Sequence, residues 1–172
     1  MKVIKFYDID KDYIKYLKSF ENKIPDISYD KHDKFICGVV LDINNVNYFA
    51  PISSFNKKQK TNLLIYNERS EVKGSIRSSF MFPAFDNVIK EKDFSTENYG
   101  YKRLLMSELN YCNNIIDDII SKANKIYKIG ISKNHPLKQN CCNFKLLENK
   151  MLVYMTKYET EKRVAVTREE ED

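Results

Sequence analysis

Phe35-Ile-Cys-Gly-Val-Val-Leu-Asp-Ile43, then Asn44-Asn45, then Val46-Asn-Tyr-Phe-Ala-Pro-Ile52, is the stretch that decides the fold. Its first half is too apolar for a strand with one face in water, so it belongs in the middle of a sheet. Two asparagines follow, a residue type that tolerates positive φ and so suits a tight hairpin turn. The second half returns antiparallel to the first. Counting outward from the turn, Ile43 faces Val46 and Phe35 faces about Ser54. Pro51 has no N–H to give a ladder, so pairing is expected to end there and the chain to turn out. Ser53, Ser54 and the Lys-rich residues 56–60 follow at that exit.

Upstream, Lys2–Tyr7 reads as a short strand. Asp10 or Asp12 caps a helix over about Lys11–Glu21, in which Tyr13, Tyr16, Leu17 and Phe20 form one apolar face. Pro25 closes this unit, and residues 26–33 make a polar loop with Tyr29, Lys31 and His32. Downstream, Leu63–Tyr66 and Gly74–Phe82 are strand candidates, and Val88 with Ile89 begins another. A helix is predicted over about Tyr101–Tyr127, where Leu105, Leu109, Cys112, Ile116, Ile119, Ala123 and Ile126 recur in steps of three or four. After a loop at Gly130–Cys141, a second C-terminal helix runs from about Asn143 into the 150s. Strands first and helices last predict α+β: a strongly twisted antiparallel sheet or half-barrel, surrounded by helices, with long helices at the C-terminus. One domain is expected over residues 1–167, with 168–172 as an acidic, frayed tail.

With 172 residues, 42% of them hydrophobic and 13% aromatic, the chain has ample material for a core. Its net charge is +5, but the last five residues carry −3, which leaves +8 on the body. A basic body suits a polyanionic partner, because each neutralised phosphate releases condensed counterions. An AT-rich genome, favouring Lys and Asn codons, gives the same composition without such a partner. Cys37, Cys112, Cys141 and Cys142 lack zinc-site spacing and have only His32 and His135 to join them, so no metal centre is expected. No signal peptide precedes the first strand. No apolar run approaches the roughly 20 residues that span a bilayer, so the reading is cytoplasmic, with no membrane partner.

There is no Gly-rich phosphate loop and no acidic cluster of the two-metal type, and no cofactor is called for. What remains is the hairpin exit. Ser53, Ser54, Lys57 and Lys58 emerge there, Lys34 heads the neighbouring strand, and Tyr29 lies in the loop before it. Lys, Ser and Tyr together suffice to cut RNA. The 2′-hydroxyl attacks its own phosphorus, and the protein orients it and stabilises the phosphorane charge. Taken alone, Ser-Ser is better read as a turn or helix N-cap beside solvated lysines.

Five further stretches shift that balance. FYDIDKDYIKYLKSFENKIP, KFICGVVLDI…NYFAPISS, GSIRSSFMFP, YKRLLMSEL and CNFKLLENK resemble, in this order, the ToxN/AbiQ family of type III toxin–antitoxin and abortive-infection toxins. The resemblance runs to about Lys150. It implies a metal-independent endoribonuclease with a sheet like that of the Kid/MazF toxins. The implied products end in 2′,3′-cyclic phosphate and 5′-hydroxyl. The implied partner is a small pseudoknot RNA antitoxin, which the toxin trims and stays bound to in a toxin–RNA hetero-oligomer, with cellular or phage RNA as substrate. Carried over, the catalytic positions are Ser53, Ser54, Lys34 and Tyr29. The family lysine after the serine pair lands on Asn56, a departure that moves the role to Lys57, with Lys58 and Lys60 behind it. Tyr13 matches a family tyrosine but also lies on the apolar helix face. Lys15, Lys18, Lys31, Lys58, Lys60, Arg77, Lys102 and Arg103 are the expected RNA-binding cations. Two rival readings are a Kid/MazF-like toxin with a protein antitoxin and a non-catalytic RNA-binding module.

Overall fold

The computed structural model describes residues 3–26 and 36–170. Its strands are β1 (Lys5–Ile9), β2 (Ile36–Ile43), β3 (Val46–Ser53), β4 (Leu63–Tyr66), β5 (Val72–Ile76), β6 (Phe82–Pro83) and β7 (Ile89–Glu91). Its helices are α1 (Lys11–Lys18), α2 (Tyr99–Asn114), α3 (Ile116–Ile131) and α4 (Phe144–Glu170). The sheet runs β4-β5-β3-β2-β1-β7, with β6 paired to β3 and every pairing antiparallel. The fold is α+β, as its order of elements predicts.

The hairpin forms with Asn44 at φ 52° and Asn45 at φ 63°. Ile43 faces Val46 and Leu41 faces Tyr48, but Gly38 then faces Phe49, so the register slips by two residues in β2. Ile36 therefore lies opposite Pro51, where a uniform count puts Ser53. Gly38 shows why the strand must give here: a Cβ on it would lie 2.0 Å from the Phe49 ring. Only glycine lets that aromatic side chain cross the sheet.

Pairing does not end at Pro51, contrary to the sequence expectation. Proline lacks only the donor, and its carbonyl accepts the Arg77 N–H at 2.9 Å. Beyond it β3 changes partner, with Ile52 opposite Ile76 and Ser53 opposite Ser75. The strand expected over Gly74–Phe82 is interrupted by a 3₁₀ turn at Ser78–Phe80, with Ser78 and Ser79 buried.

The single long helix expected near the C-terminus is two helices broken at Ile115 (φ −114°, ψ 25°). Asn113 ties this point to the residue just before β1: Oδ1 accepts the Ile4 N–H at 2.9 Å and Nδ2 donates to the Ile4 carbonyl at 3.1 Å. Helix α4 continues to Glu170, further than its apolar stripe predicts, with residues 159–168 all exposed. Asp10 caps α1 by accepting the Tyr13 N–H at 2.8 Å. The core joins Ile4, Phe6, Ile36, Phe49, Leu105, Ile119 and Phe144, all almost fully buried. Among the described residues no helix is long and apolar enough to cross a membrane.

Candidate active site and basic groove

Ser53 is the last residue of β3 and half-buried, and Ser54 is exposed. Strands β3 and β5 approach closely here, since a Cβ on Gly74 would sit 2.6 Å from the Ser53 carbonyl oxygen. That contact fixes the Ser53 backbone. Its Oγ accepts the Phe55 N–H at 3.2 Å, so one lone pair is held by the turn and the hydroxyl proton is left to donate outward. The turn that the capping alternative anticipates is thus real, and it orients the serine.

Residues 54–60 form a loop in which Ser54, Asn56, Lys57, Lys58 and Lys60 are exposed. Asn62, only 2% exposed, organises it. Its Oδ1 accepts the Gln59 N–H at 2.8 Å, and its Nδ2 donates to the Lys57 carbonyl at 3.0 Å. A buried amide therefore holds the backbone from which Lys57 projects.

Beside this loop three neighbouring cavities of about 600, 640 and 440 Å³ share lining residues. Together they present Lys23, Lys58, Lys60, Arg77, Lys122, Lys125 and Lys138, and no Asp or Glu lines any of them. Lys122 donates to the Lys60 carbonyl at 3.2 Å. Burial, with Lys125 and Lys58 nearby, pushes its ammonium below the ordinary lysine range. Four of the seven, Lys23, Lys122, Lys125 and Lys138, carry no signal in the sequence, because they come from separate segments that only the fold brings together.

Of the expected cations, Lys58, Lys60 and Arg77 share this groove. Lys15 and Lys18 lie on α1 next to Asp12 and Asp26, which offset their charge. Lys102 and Arg103 lie in the first turns of α2, with Arg103 5.8 Å from the centre of the Tyr99 ring. Tyr29, Lys31 and Lys34 lie outside the described residues. Tyr13 is fully buried and donates its hydroxyl to the Pro83 carbonyl at 2.8 Å, so it serves the core. His135 caps a 3₁₀ turn, its Nδ1 accepting the Leu137 N–H at 3.1 Å. All four cysteines are buried free thiols. Among the described residues no three His, Cys, Asp or Glu side chains are grouped so that they could hold a metal ion.

The opposite end of β3 carries another polar group. Tyr48 and Tyr127 both donate to Glu148 Oε1, at 2.7 and 2.6 Å, and Lys145 lies 2.9 Å from Oε2. Behind Ser53, Glu108 of α2 is 6% exposed, and its Oε1 lies 3.8 Å from the Cβ position of Gly74. Burial pushes the Glu108 carboxyl up to about 7.

Comparison with known proteins supplies the context. Residues 5–152 match the model of the toxin ToxN of type III toxin–antitoxin systems. The endoribonuclease ToxN of Pectobacterium atrosepticum is 31% identical over an alignment of 160 residues covering 86% of this chain and 91% of the relative. The endoribonuclease AbiQ of Lactococcus lactis subsp. lactis is 27% identical, covering 90% and 91%. A solved type III toxin, described as selectively inhibited by a non-coding RNA pseudoknot, superposes with TM-score 0.83 at 26% identity, covering 90% of this chain and 99% of its own. The AbiQ structure, described as a lactococcal anti-phage endoribonuclease, gives TM-score 0.79 at 25% identity, covering 90% and 99%.

Proposed function

The chain belongs to the ToxN family of type III toxins and is an endoribonuclease; on that premise we propose that it cuts RNA at the exit of β3. The observation that supports this site is the oriented Ser53 hydroxyl on a pinned Ser/Lys loop, beside a groove lined by cations and no acids. The RNA lies along that groove, and its phosphates neutralise lysines already close to one another.

In the cutting step the 2′-oxygen forms a bond to the adjacent phosphorus and the bond from phosphorus to the 5′-oxygen breaks. The 2′-hydroxyl loses its proton and the leaving oxygen gains one. The products are a 2′,3′-cyclic phosphate and a 5′-hydroxyl, and the step requires no metal. Ser53 and Ser54 donate hydrogen bonds to a non-bridging oxygen as charge grows there, and Lys57 neutralises it. By the family resemblance, Lys34 orients or relays the proton of the attacking hydroxyl and Tyr29 stacks on or hydrogen-bonds the nucleotide. The asparagine at position 56 leaves Lys57 as the lysine of the site.

The same groove receives a pseudoknot RNA antitoxin, the kind of RNA described as inhibiting the structural relative, and the toxin–RNA pairs close into a hetero-oligomer. Residues 1–167 act as one domain with a Kid/MazF-like half-barrel, and the protein works in the cytoplasm against cellular or phage RNA. The test is an RNA with a single 2′-deoxyribose placed 5′ of the cut, incubated in EDTA beside its all-ribose parent. The parent is expected to be cut and the modified strand to survive. Cutting of the modified strand, or a strict need for magnesium, overturns the mechanism.

A further inference from the structure

Among the described residues only two buried side-chain polar atoms lack a hydrogen bond, Ser75 Oγ and Arg77 Nε. Ser75 lies in β5 and Arg77, just past its last residue, is two positions on, the spacing that returns a side chain to the same face of a strand. Ser53 shares that face through its pairing with Ser75. A buried polar atom left without a partner is costly, and two of them near one serine call for an explanation.

Arg77 is held for a purpose its present contacts do not fulfil. Its guanidinium lies 4.6 Å from the centre of the Phe55 ring and 4.8 Å from that of Phe80, so two aromatic faces fix its position. Nε and Nη2 form the two-pronged edge of the group, the edge that takes two oxygens of one anion. Nε is empty, and Nη2 reaches only Gln59 Oε1 at 3.5 Å, the outer limit of a hydrogen bond. No carboxylate pairs with it among the described residues, and burial draws its pKa below the ordinary arginine value. The side chain borders the cavity of about 640 Å³, where Lys58 and Lys60 add positive charge and Lys23 lies 3.9 Å from Glu21 Oε1. The carboxamides of Gln59, Gln139 and Asn140 line the same space.

We infer that Arg77 seats a phosphodiester of the RNA next to the one being cut, through a two-pronged contact from Nε and Nη2, with the flanking nucleotide in the cavity lined by Gln59 and Gln139. The backbone partner of Arg77 is Pro51, two residues before Ser53 and about 7 Å from it along the strand. The subsite therefore adjoins the point of cleavage and does not coincide with it. This assignment rests on the proposal that RNA is cut at Ser53. It differs from a general phosphate contact because the ring-clamped fork demands one orientation of the anion.

The test is the Arg77 Nε–H resonance of ¹⁵N-labelled protein, identified by its loss in Arg77→Lys. The probes are a deoxydinucleoside monophosphate, which lacks the attacking hydroxyl, the free nucleoside, and inorganic phosphate. The deoxydinucleotide is expected to shift the resonance saturably and the nucleoside to leave it unmoved. No shift with the deoxydinucleotide, or an equal shift with inorganic phosphate, overturns the subsite. In kinetics, Arg77→Lys keeps the charge and loses the fork, so KM should rise about tenfold while kcat stays within about twofold. An unchanged KM in the folded variant also overturns it. A protein that shifts with the probe but cuts no RNA would sink the nuclease site and leave this subsite standing; one that cuts RNA with a silent Arg77 does the reverse.

Discussion

Strand β3 carries two polar constellations five residues apart, and they are completed to different degrees. At Tyr48 every group is answered: two phenols meet one carboxylate oxygen and a lysine meets the other. At Ser53 the neighbouring hydroxyl of Ser75 and the Nε of Arg77 are buried and unanswered, and the groove beside them is lined by lysines and no acid. The first arrangement rigidifies a fold and needs nothing further. The second is unfavourable in the free protein, and the proposed RNA ligand would relieve it. On the proposed reading, one strand thus has an end built for stability and an end built for binding and cutting RNA.

Substitutions should separate these ends. The largest effect is expected for Lys57→Ala, which should slow RNA cleavage by about 10²-fold or more, the usual cost of losing a group that stabilises transition-state charge. Its thermal midpoint should stay within about 2 °C, since Lys57 is exposed. A wild-type rate would move the lysine role to Lys58 or Lys60. At the other end, Glu148→Ala strands two phenols, at a cost of about 3 kcal/mol and a Tm lowered by about 6–12 °C. Cleavage per folded molecule should hold within about twofold.

Acid–base behaviour distinguishes the ends as well. Burial acts to raise the Glu148 carboxyl, but hydrogen bonds from Tyr127, Lys145 and Tyr48 hold it below the ordinary value. Its stabilising contribution is therefore complete above the unfolded carboxylate pKa and is lost as pH falls through the folded one. Glu108 has the opposite sign. Raised by burial to about 7, it keeps its proton in the folded state, so stability falls as pH climbs from the unfolded value near 4.5 to about 7. Glu108→Gln should remove that fall and raise the Tm at pH 8 by several degrees, about 2–3 kcal/mol, with little change near pH 4. Equal gains at both pH values would show that its carboxyl titrates alike in the folded and unfolded protein, with no upward shift from burial.

The smallest effect is expected at Lys122. Lys122→Ala should weaken RNA binding evenly across sequences and reduce the slope of log affinity against log salt by about one. An unchanged slope would remove α3 from the RNA path.

The family, the fold class and the hairpin are legible in the sequence because each rests on local pattern. An apolar run, two asparagines and a returning strand leave little else for residues 35–52 to do. The two-residue slip between Gly38 and Leu41 is invisible there, because Val39 and Val40 read as ordinary strand, and the close approach of the Phe49 ring to Gly38 is seen only in the fold. The break at Ile115 is hidden for a related reason: the apolar spacing of three and four runs straight through it. At the site, the serine pair and its lysines are adjacent in sequence and could be found. The groove could not, because its cations come from segments as far apart as Lys23 and Lys138. The empty fork of Arg77 depends on two ring contacts that no spacing encodes.

The central claim is that the two ends of β3 do different work. It is tested most directly by measuring RNA cleavage and Tm on the same preparations of Ser53→Ala and Glu148→Ala. The account predicts that Ser53→Ala loses cleavage and keeps its Tm, whereas Glu148→Ala loses Tm and keeps cleavage. A folded Ser53→Ala that cuts RNA as fast as the unsubstituted chain would contradict it.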